Sequence, residues 1–589
     1  MTRALFPVLT RSLMLLAVSV FLIGPAAAQA PAWQWGLQTT NPAPADGSTA
    51  MGYAVATDAA GRVYVGGAIN ESATSGPVSR SFGSAGTVGP GRNGFIAQVT
   101  AAGQWAWTTA AVPSGTSSTP PHISVNSVAV TAGGDVYATG TVAGSGVQVG
   151  SQNQALGGTG QGVFVARLSS MGVCQWVQVV EMTAFLPPVL AIDPGTGGVV
   201  LVGAYQGSPS FGGTALPASN FYRSGSVYVA RLSAAGQWLS ATASAGAVGV
   251  ISLNAAVGPA GQVAIVGSHG AGTIAFGSNT LTAPTGADES FIVAQLSPAN
   301  QWQWAVGGRN AGYNNSVTLS AAYTATGALW VCGRGVDGSV VGPITLSAPI
   351  TSGSTSYTGF LGQLSATGQW GTVQQLPPSS AGLSVLGWLA ADAAGNAVTM
   401  GGLRGYAGAV QTTIGSHTLT APSAGLVLYI ASLSSAGQWR YVATVPQPAL
   451  ADGLNPTGMT LDGSGSLYFT GGLKGGLTLG STTLMGSASS TNWGDVVLGK
   501  LTNATALGTR SSAAAALALL PNPAHSRATL QLPAASQAPS VTLTDALGRT
   551  ARTYLLPAHS STATLDLTGL APGLYVVRCD AALGRLVVE

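Results

Sequence analysis

Residues 227–238 read V-Y-V-A-R-L-S-A-A-G-Q-W, and close variants return at 95–105, 163–176, 291–302, 359–370 and 428–439. The apolar half alternates as a strand does, S-A-A-G-Q is tight-turn chemistry, and the tryptophan opens another strand. A seventh copy at 496–501 stops before its tryptophan. The missing piece, A-W-Q-W, stands at residues 32–35.

Taken at Trp33, Trp105, Trp176, Trp238, Trp302, Trp370 and Trp439, the steps are 72, 71, 62, 64, 68 and 69 residues, which makes seven units. Each unit also holds a strand, a tight turn and a second strand, as in Y-A-V-A-T-D-A-A-G-R-V-Y-V-G-G at 53–67. Its cousins begin near Ser127, Val189, Leu253, Val317, Leu389 and Met459. A small F-G or V-G element recurs at Phe82, Val149, Phe211, Phe276, Val341, Ile414 and Leu479 and reads as an inserted hairpin or ordered loop. No stretch of the repeats has the period of an amphipathic helix. Each unit therefore has four main strands, a to d, with the insertion between b and c.

Four-stranded units repeated radially are the propeller answer to exposed sheet edges. Unit seven has a, b and c near residue 500, and only the Trp33 segment can supply d. Pairing of the two ends explains that offset, whereas an open stack would want capping units. The expected fold is all-β: a seven-bladed β-propeller over residues 29–502, closed by an N-terminal strand.

Length alone, at about 150 residues per domain, implies about four domains, but stacked repeats share one core and overrule that division. Hydrophobic residues make up 46% of the chain and charged ones 6%, and the formal charge is +3. That charge excludes an electrostatic grip on nucleic acid or anionic lipid. Residues 1–28 read as a signal peptide, with Arg3 and Arg11 ahead of a short apolar run at 12–24 and small residues at 26–28. Cleavage is expected after Ala28, leaving a mature chain without a transmembrane segment and with a charge of about +1. Cys174 reads as a turn residue where other units carry glycine, while Cys332 and Cys579 fall in apolar strand patterns. All three read as small buried thiols.

D-x-x-G-N before an alternating strand, at residues 392–396, together with F-V-A-x-L-x-x-x-G later in the unit, resembles the SBBP-type seven-bladed propeller repeats of secreted bacterial proteins. Thr131, Gly258 and Thr324 replace the aspartate in three units. Asp, Thr and Gly all suit tight turns, so the position reads as turn chemistry rather than a calcium ligand.

After residue 501 the pattern ends. Residues 503–516 read as a linker, and 517–589 as short alternating strands of a small Ig-like β-sandwich. Three landmarks stand in order: L-P-N-P at 520–523 (Pro521, Asn522, Pro523), L-T-D-A-L-G-R at 543–549 (Gly548) and L-A-P-G-L-Y at 570–575 (Gly573, Tyr575). Together they resemble the type A C-terminal sorting domain of the type IX secretion system. The resemblance implies recognition by the secretion machinery, passage through the periplasm of a Gram-negative cell, and removal of the domain by a cell-surface protease. The cargo is then held on the outer surface or released. Cys579 and the short ending at 585–589 depart from the usual pattern, which bears on processing.

Catalytic signatures are absent from the sequence. No carboxylate pair recurs at a catalytic spacing, and Asp288 and Glu289 are adjacent, so in a strand they point apart. The histidines His122, His269, His417, His525 and His559 are isolated, without zinc-ligand spacing. Residues 494–500 mimic a phosphate loop, but Leu501 stands where a hydroxyl should hold magnesium and no helix follows. No metal or cofactor is expected.

Strands a and c run one way, b and d the other. The a–b and c–d turns are tight and uniform, so the long b–c and d–a connections leave from the opposite end, where loops on a rigid scaffold carry function. That end is expected to hold Asp46, His122, Arg309, Asn310, Tyr313, Asn315, Trp388 and Asp452, with Asn455. Such amides, aromatics and an arginine hydrogen-bond and stack on a sugar or grip a protein loop. The recurring tryptophans, needed by every unit, read as packing between units rather than sugar platforms. The expected role is non-enzymatic adhesion or recognition of an extracellular polysaccharide or protein. The alternatives are a carbohydrate-active hydrolase or lyase, with carboxylates gathered at the loop end, and a self-associating surface-layer component.

Overall fold

Strands b and c carry apolar residues on both faces, and V-V-L-V-G-A-Y at Val199–Tyr205 and S-V-Y-V-A-R-L at Ser226–Leu232 are buried almost throughout. Such strands belong at the centre of a sheet. The computed structural model describes residues 31–502 and 517–589, less 42–47, 71–78, 115–120, 159, 184–185, 220–224, 247, 284–288, 312–318, 348–356, 377–381, 406–408, 424, 446–452, 487–492, 518, 532–539, 546–548, 558–561, 580–581 and, before 517, 503–516. Contacts divide the chain into two compact units near residues 507 and 508.

Among the described residues of the first unit, seven sheets share the order a-b-c-d. Their a strands are Thr49–Thr57, His122–Val130, Val189–Ile192, Val250–Val257, Leu319–Tyr323, Gly382–Ala391 and Gly453–Leu461. In the seventh sheet the fourth strand is Ala32–Gln38, antiparallel to Asp495–Thr502 with Trp33 opposite Leu501. Core clusters lie between consecutive sheets: Tyr64 and Ile96 pack with Val125 and Phe164, and Val398 and Ile430 with Phe469 and Val497. A further cluster joins Tyr468 and Val496 of the seventh sheet to Val65 and Phe95 of the first. The phosphate-loop mimic runs into strand Asp495–Thr502, consistent with its dismissal.

The a strands begin three to seven residues earlier in five units than the alternation indicates. A bulge explains the difference. Register slips between Gly52 and Ala54, Val125 and Ser127, Val250 and Ser252, Leu386 and Trp388, and Pro456 and Gly458. The extra residue reverses which side chains face which side, so the stretch before it reads out of phase.

The F-G elements are hairpins between b and c. Phe276 pairs with Asn279 across Gly277, whose φ of 63° supplies the left-handed turn. Each hairpin covers the residue that opens strand d: Phe276 meets Trp302 with ring centroids at 4.8 Å, and Phe211 meets Trp238 at 4.9 Å, both edge to face. In the second repeat that residue is Cys174, opposite Leu168 as Trp238 is opposite Leu232. Cys174 is therefore not in the turn, whose glycine is Gly172. Trp176 lies two residues past the repeat position, which makes the steps there 69 and 64 residues. Burial pushes the Cys174 thiol up to about 12. Packing between sheets falls to the second tryptophans: Trp107, Trp176 and Trp304 donate their indole N–H to the carbonyls of Ser170, Ala234 and Ala366 at 3.0, 3.1 and 2.9 Å, each in the c–d turn of the following sheet.

The a–b aspartates serve the turn. Asp58 Oδ1 accepts from the N–H groups of Ala60 and Arg62 at 2.9 and 3.0 Å, and Asp462 Oδ1 from those of Ser464 and Ser466 at 2.9 Å. In units that carry Thr131 or Thr324 instead, the hydroxyl accepts the N–H of Asp135 or Ala328 at 3.1 Å.

The second unit is a β-sandwich. One sheet holds Leu519–Leu520, Arg527–Gln531 and Thr562–Asp566; the other, in order, Thr550–Leu555, Ser540–Thr544, Gly573–Cys579 and Ala582–Val588. Leu530, Leu565, Val541, Leu543, Val577 and Leu586 fill the space between them.

Candidate functional site

At the long-connection end of the fourth sheet a groove of about 310 Å³ is lined by Thr280, Leu281, Thr282, Ser290, Gly307, Gly308 and Arg309. Its parts come from three elements. The inserted hairpin strand Asn279–Ala283 gives one wall, strand c (Glu289–Leu296) gives Ser290, and strand d (Trp302–Asn310) gives a floor of two glycines with Arg309 at the rim. Gly308 admits no side chain, because a Cβ there would stand 2.4 Å from the Val340 carbonyl of the strand paired to its edge. Ser290 Oγ donates to the Gly308 carbonyl at 2.8 Å, tying wall to floor.

Lateral pairing puts His269, Ser290 and Arg309 in one row, with Glu289 and Asn310 in the next. Neighbouring rows project to opposite faces, so the buried Glu289 carboxylate points away from the side that Ser290 and Arg309 share. Among the described lining residues Arg309 carries the charge, and the rest offer hydroxyls, glycine backbone and one apolar contact. Burial pushes the His269 imidazole below its ordinary pKa, while the Gly270 carbonyl at 2.9 Å opposes that shift. This chemistry suits hydrogen bonding to a polyol or carboxylate.

The other expected residues fall in different places. His122 is exposed and opens an a strand, and Asn455 lies near the start of another. Asn310 is buried, with Oδ1 accepting from Ser339 Oγ at 2.9 Å, so it shapes the loop rather than its surface. Trp388 stands near the turn end of Gly382–Ala391, just past the bulge, and packs against the cluster between the sixth and seventh sheets. The bulge again misled the reading, which had put Trp388 at the long-connection end. Asp46, Tyr313, Asn315, Asp452, Gly548 and Ala28 lie outside the described residues. Sequence reasoning missed the two threonines, Ser290 and the glycine floor. The available signal was G-G-R at 307–309, which breaks the pattern of the other d strands. Among the described residues no group of three His, Cys, Asp or Glu side chains could hold a metal ion, and no helix is long and apolar enough to cross a membrane.

In the second unit, Asn522 acts as a piece of strand. Its Nδ2 donates to the Arg585 carbonyl at 2.7 Å, and its Oδ1 accepts from the Val587 N–H at 2.8 Å. Ala524 continues the pairing, donating to the Val587 carbonyl at 2.8 Å. Pro521 and Pro523 flank this clamp, lacking N–H groups that would need partners. Asp545 accepts from Arg549 across its turn at 2.8 Å. Tyr575, two residues after Gly573, turns inward and donates its hydroxyl to the Ala571 carbonyl at 2.9 Å, as in the tyrosine corner of sandwich folds.

Residues 518–588 match the family model described as a secretion system C-terminal sorting domain. The chain thus carries a type IX sorting domain, which indicates export to the cell surface or extracellular space in Bacteroidetes-type bacteria and interaction with the secretion machinery. None of the curated proteins compared matches the sequence. Solved structures similar at low identity include three of note. They are a puromycin hydrolase S511A mutant (11% identity, 75% of this chain, 61% of that one, TM-score 0.31), the NanB sialidase of Streptococcus pneumoniae (8%, 75%, 67%, 0.33) and PorZ, a surface component of the type IX secretion system of Porphyromonas gingivalis (10%, 92%, 99%, 0.15). The chain spans less than two thirds of the length of the hydrolase.

Proposed function

We propose that this is a cargo of the type IX system that reaches the outer surface or medium of a Gram-negative cell through the periplasm. Its repeats form a seven-bladed propeller closed by Ala32–Gln38, followed by an Ig-like sandwich, and its role is non-enzymatic recognition of an extracellular polymer. Closure draws support from the core cluster shared by the seventh and first sheets. It also draws support from Arg80, fully buried beyond the first sheet's b strand, which donates to the Gly494 carbonyl at 2.9 Å beside the seventh sheet's third strand.

The observation that carries the binding role is the Arg309 groove: hydroxyls, a glycine floor and one cation, with no carboxylate among the described residues that line it. Hydrolysis of a glycosidic bond needs two facing carboxyl groups, so the lining favours holding a sugar over cutting it. The purified exported chain should be retained on acidic polysaccharides, alginate and pectate, more strongly than on neutral glucans. Arg309→Gln should lower that retention tenfold or more, since a hydrogen bond to a charged group is worth about 1.5–3 kcal/mol. Release of reducing sugar, or equal retention of wild type and variant, would sink the reading.

A further inference from the structure

The two outer faces of the sandwich differ. The strands Arg527–Gln531 and Thr562–Asp566 turn Arg527, Thr529, Gln531, Thr562, Thr564 and Asp566 outward, with Leu520 at the edge. The opposite sheet turns out Leu574, Val576 and Val587, at 47%, 38% and 36% exposure, with Leu555 at 85% on its far strand. Leu574 lies directly opposite Val587, and Val576 opposite Arg585, so the three apolar residues and the arginine form one contiguous stripe. Arg578, also outward and exposed, extends it. Among the described side chains of this sheet, Ser540, Thr542, Thr544, Thr550 and Thr553 also face outward, and none of these is acidic.

We propose that this stripe is the docking surface through which the sorting domain is read, and that its occupant is a protein of the secretion machinery presenting apolar side chains rimmed by carboxylates. The inference rests on the sorting-domain assignment, which requires a protein reader. Apolar contact supplies area, and the two arginines select an acidic partner by charge complementarity. The Asn522 clamp fits this role: it fixes the backbone at Arg585 and Val587, the two residues that complete the stripe.

The test follows export of the full chain in its native host, measured as the fraction outside the cell against that held in the periplasm. Deleting 517–589 should abolish export. If it does not, the sorting function itself fails, independently of the stripe. Leu574→Ser/Val576→Ser/Val587→Ser is expected to cut export at least tenfold, and so is Arg578→Glu/Arg585→Glu, an independent pair of substitutions that leaves the apolar residues in place. Thr529→Lys/Thr564→Lys on the opposite face should export normally. Melting of each purified variant shows whether a loss comes with a folded domain. The proposal is overturned by wild-type export of the arginine pair, by an equal loss from the opposite-face control, or by sedimentation showing that the stripe joins two copies of the chain.

Discussion

At the a–b and c–d turns every unit meets the same demand with nearly the same residues; at the opposite end the units diverge. The turn end is saturated with bonds: aspartate, threonine or, in the unit with Gly258, Gln262 closes the a–b turn, serine or threonine closes the c–d turn, and Trp35, Trp107, Trp176 and Trp304 each lie under the turn glycine of the next sheet. The long-connection end holds what repetition does not demand, including the G-G-R groove of the fourth unit. Repetition in this chain records packing, and departures from it mark the candidate site. Substitutions at the turn end should therefore act on stability, those at the other end on binding.

The sharpest break of that comparison is Asp193→Ala. Asp193 and Arg231 form a buried pair at 2.6 Å, with side chains 5% and 6% exposed, and Arg231 reaches on to the Gly261 carbonyl at 2.9 Å in the next sheet. Removing the carboxylate strands a buried guanidinium, which costs about 3–5 kcal/mol. A chemical denaturation midpoint should fall accordingly, and Asp193→Leu/Arg231→Met should recover much of the loss. A loss no greater than that of an exposed substitution would show that the turn end is not where stability is concentrated.

Gly236→Ala should cost less, about 2–3 kcal/mol, from left-handed backbone and a forced contact together. Gly236 has a φ of 80°, and a Cβ there would stand 2.9 Å from the Trp176 ring. The third sheet carries Ser240 where its neighbours carry that tryptophan. The matching turn of the fourth sheet has Asn300 in place of glycine, with a φ of 58° and a side-chain bond to Ser240 at 2.7 Å. There ring and glycine change together, whereas the sixth sheet keeps Gly437, with a φ of 76°, over Thr372.

The repeat, its four strands and the inserted hairpin were legible because period-two patterning and turn glycines are local. The sorting landmarks were legible for the same reason. The a-strand starts were not, because one bulged residue inverts the alternation upstream, and Trp388 was misjudged with them. Cys174 was mistaken for a turn residue because Trp176 displaced the apparent register by two. The groove could not be read because Thr280, Ser290 and Gly307 come from three strands whose meeting depends on how the hairpin folds onto the sheet.

The smallest effect, and the most specific, concerns Asp462 at the turn end. Burial raises its pKa, but donors from Ser464, Ser466 and Tyr468 together outweigh burial, so the carboxyl lies below its ordinary value. A folded-state pKa below the unfolded one means stability that is present above the unfolded carboxylate range and lost as pH falls toward the folded value. Asp462→Asn keeps an oxygen for the turn but removes the charge. Its stability deficit against the wild-type chain should therefore be widest near neutral pH and narrow on acidification below about pH 4. Denaturant midpoints at pH 7 and pH 3 measure this directly. A deficit independent of pH would mean that the turn depends on the shape of the side chain and not on its charge, which would align the aspartate units with those that carry Thr131 and Thr324 at the same place.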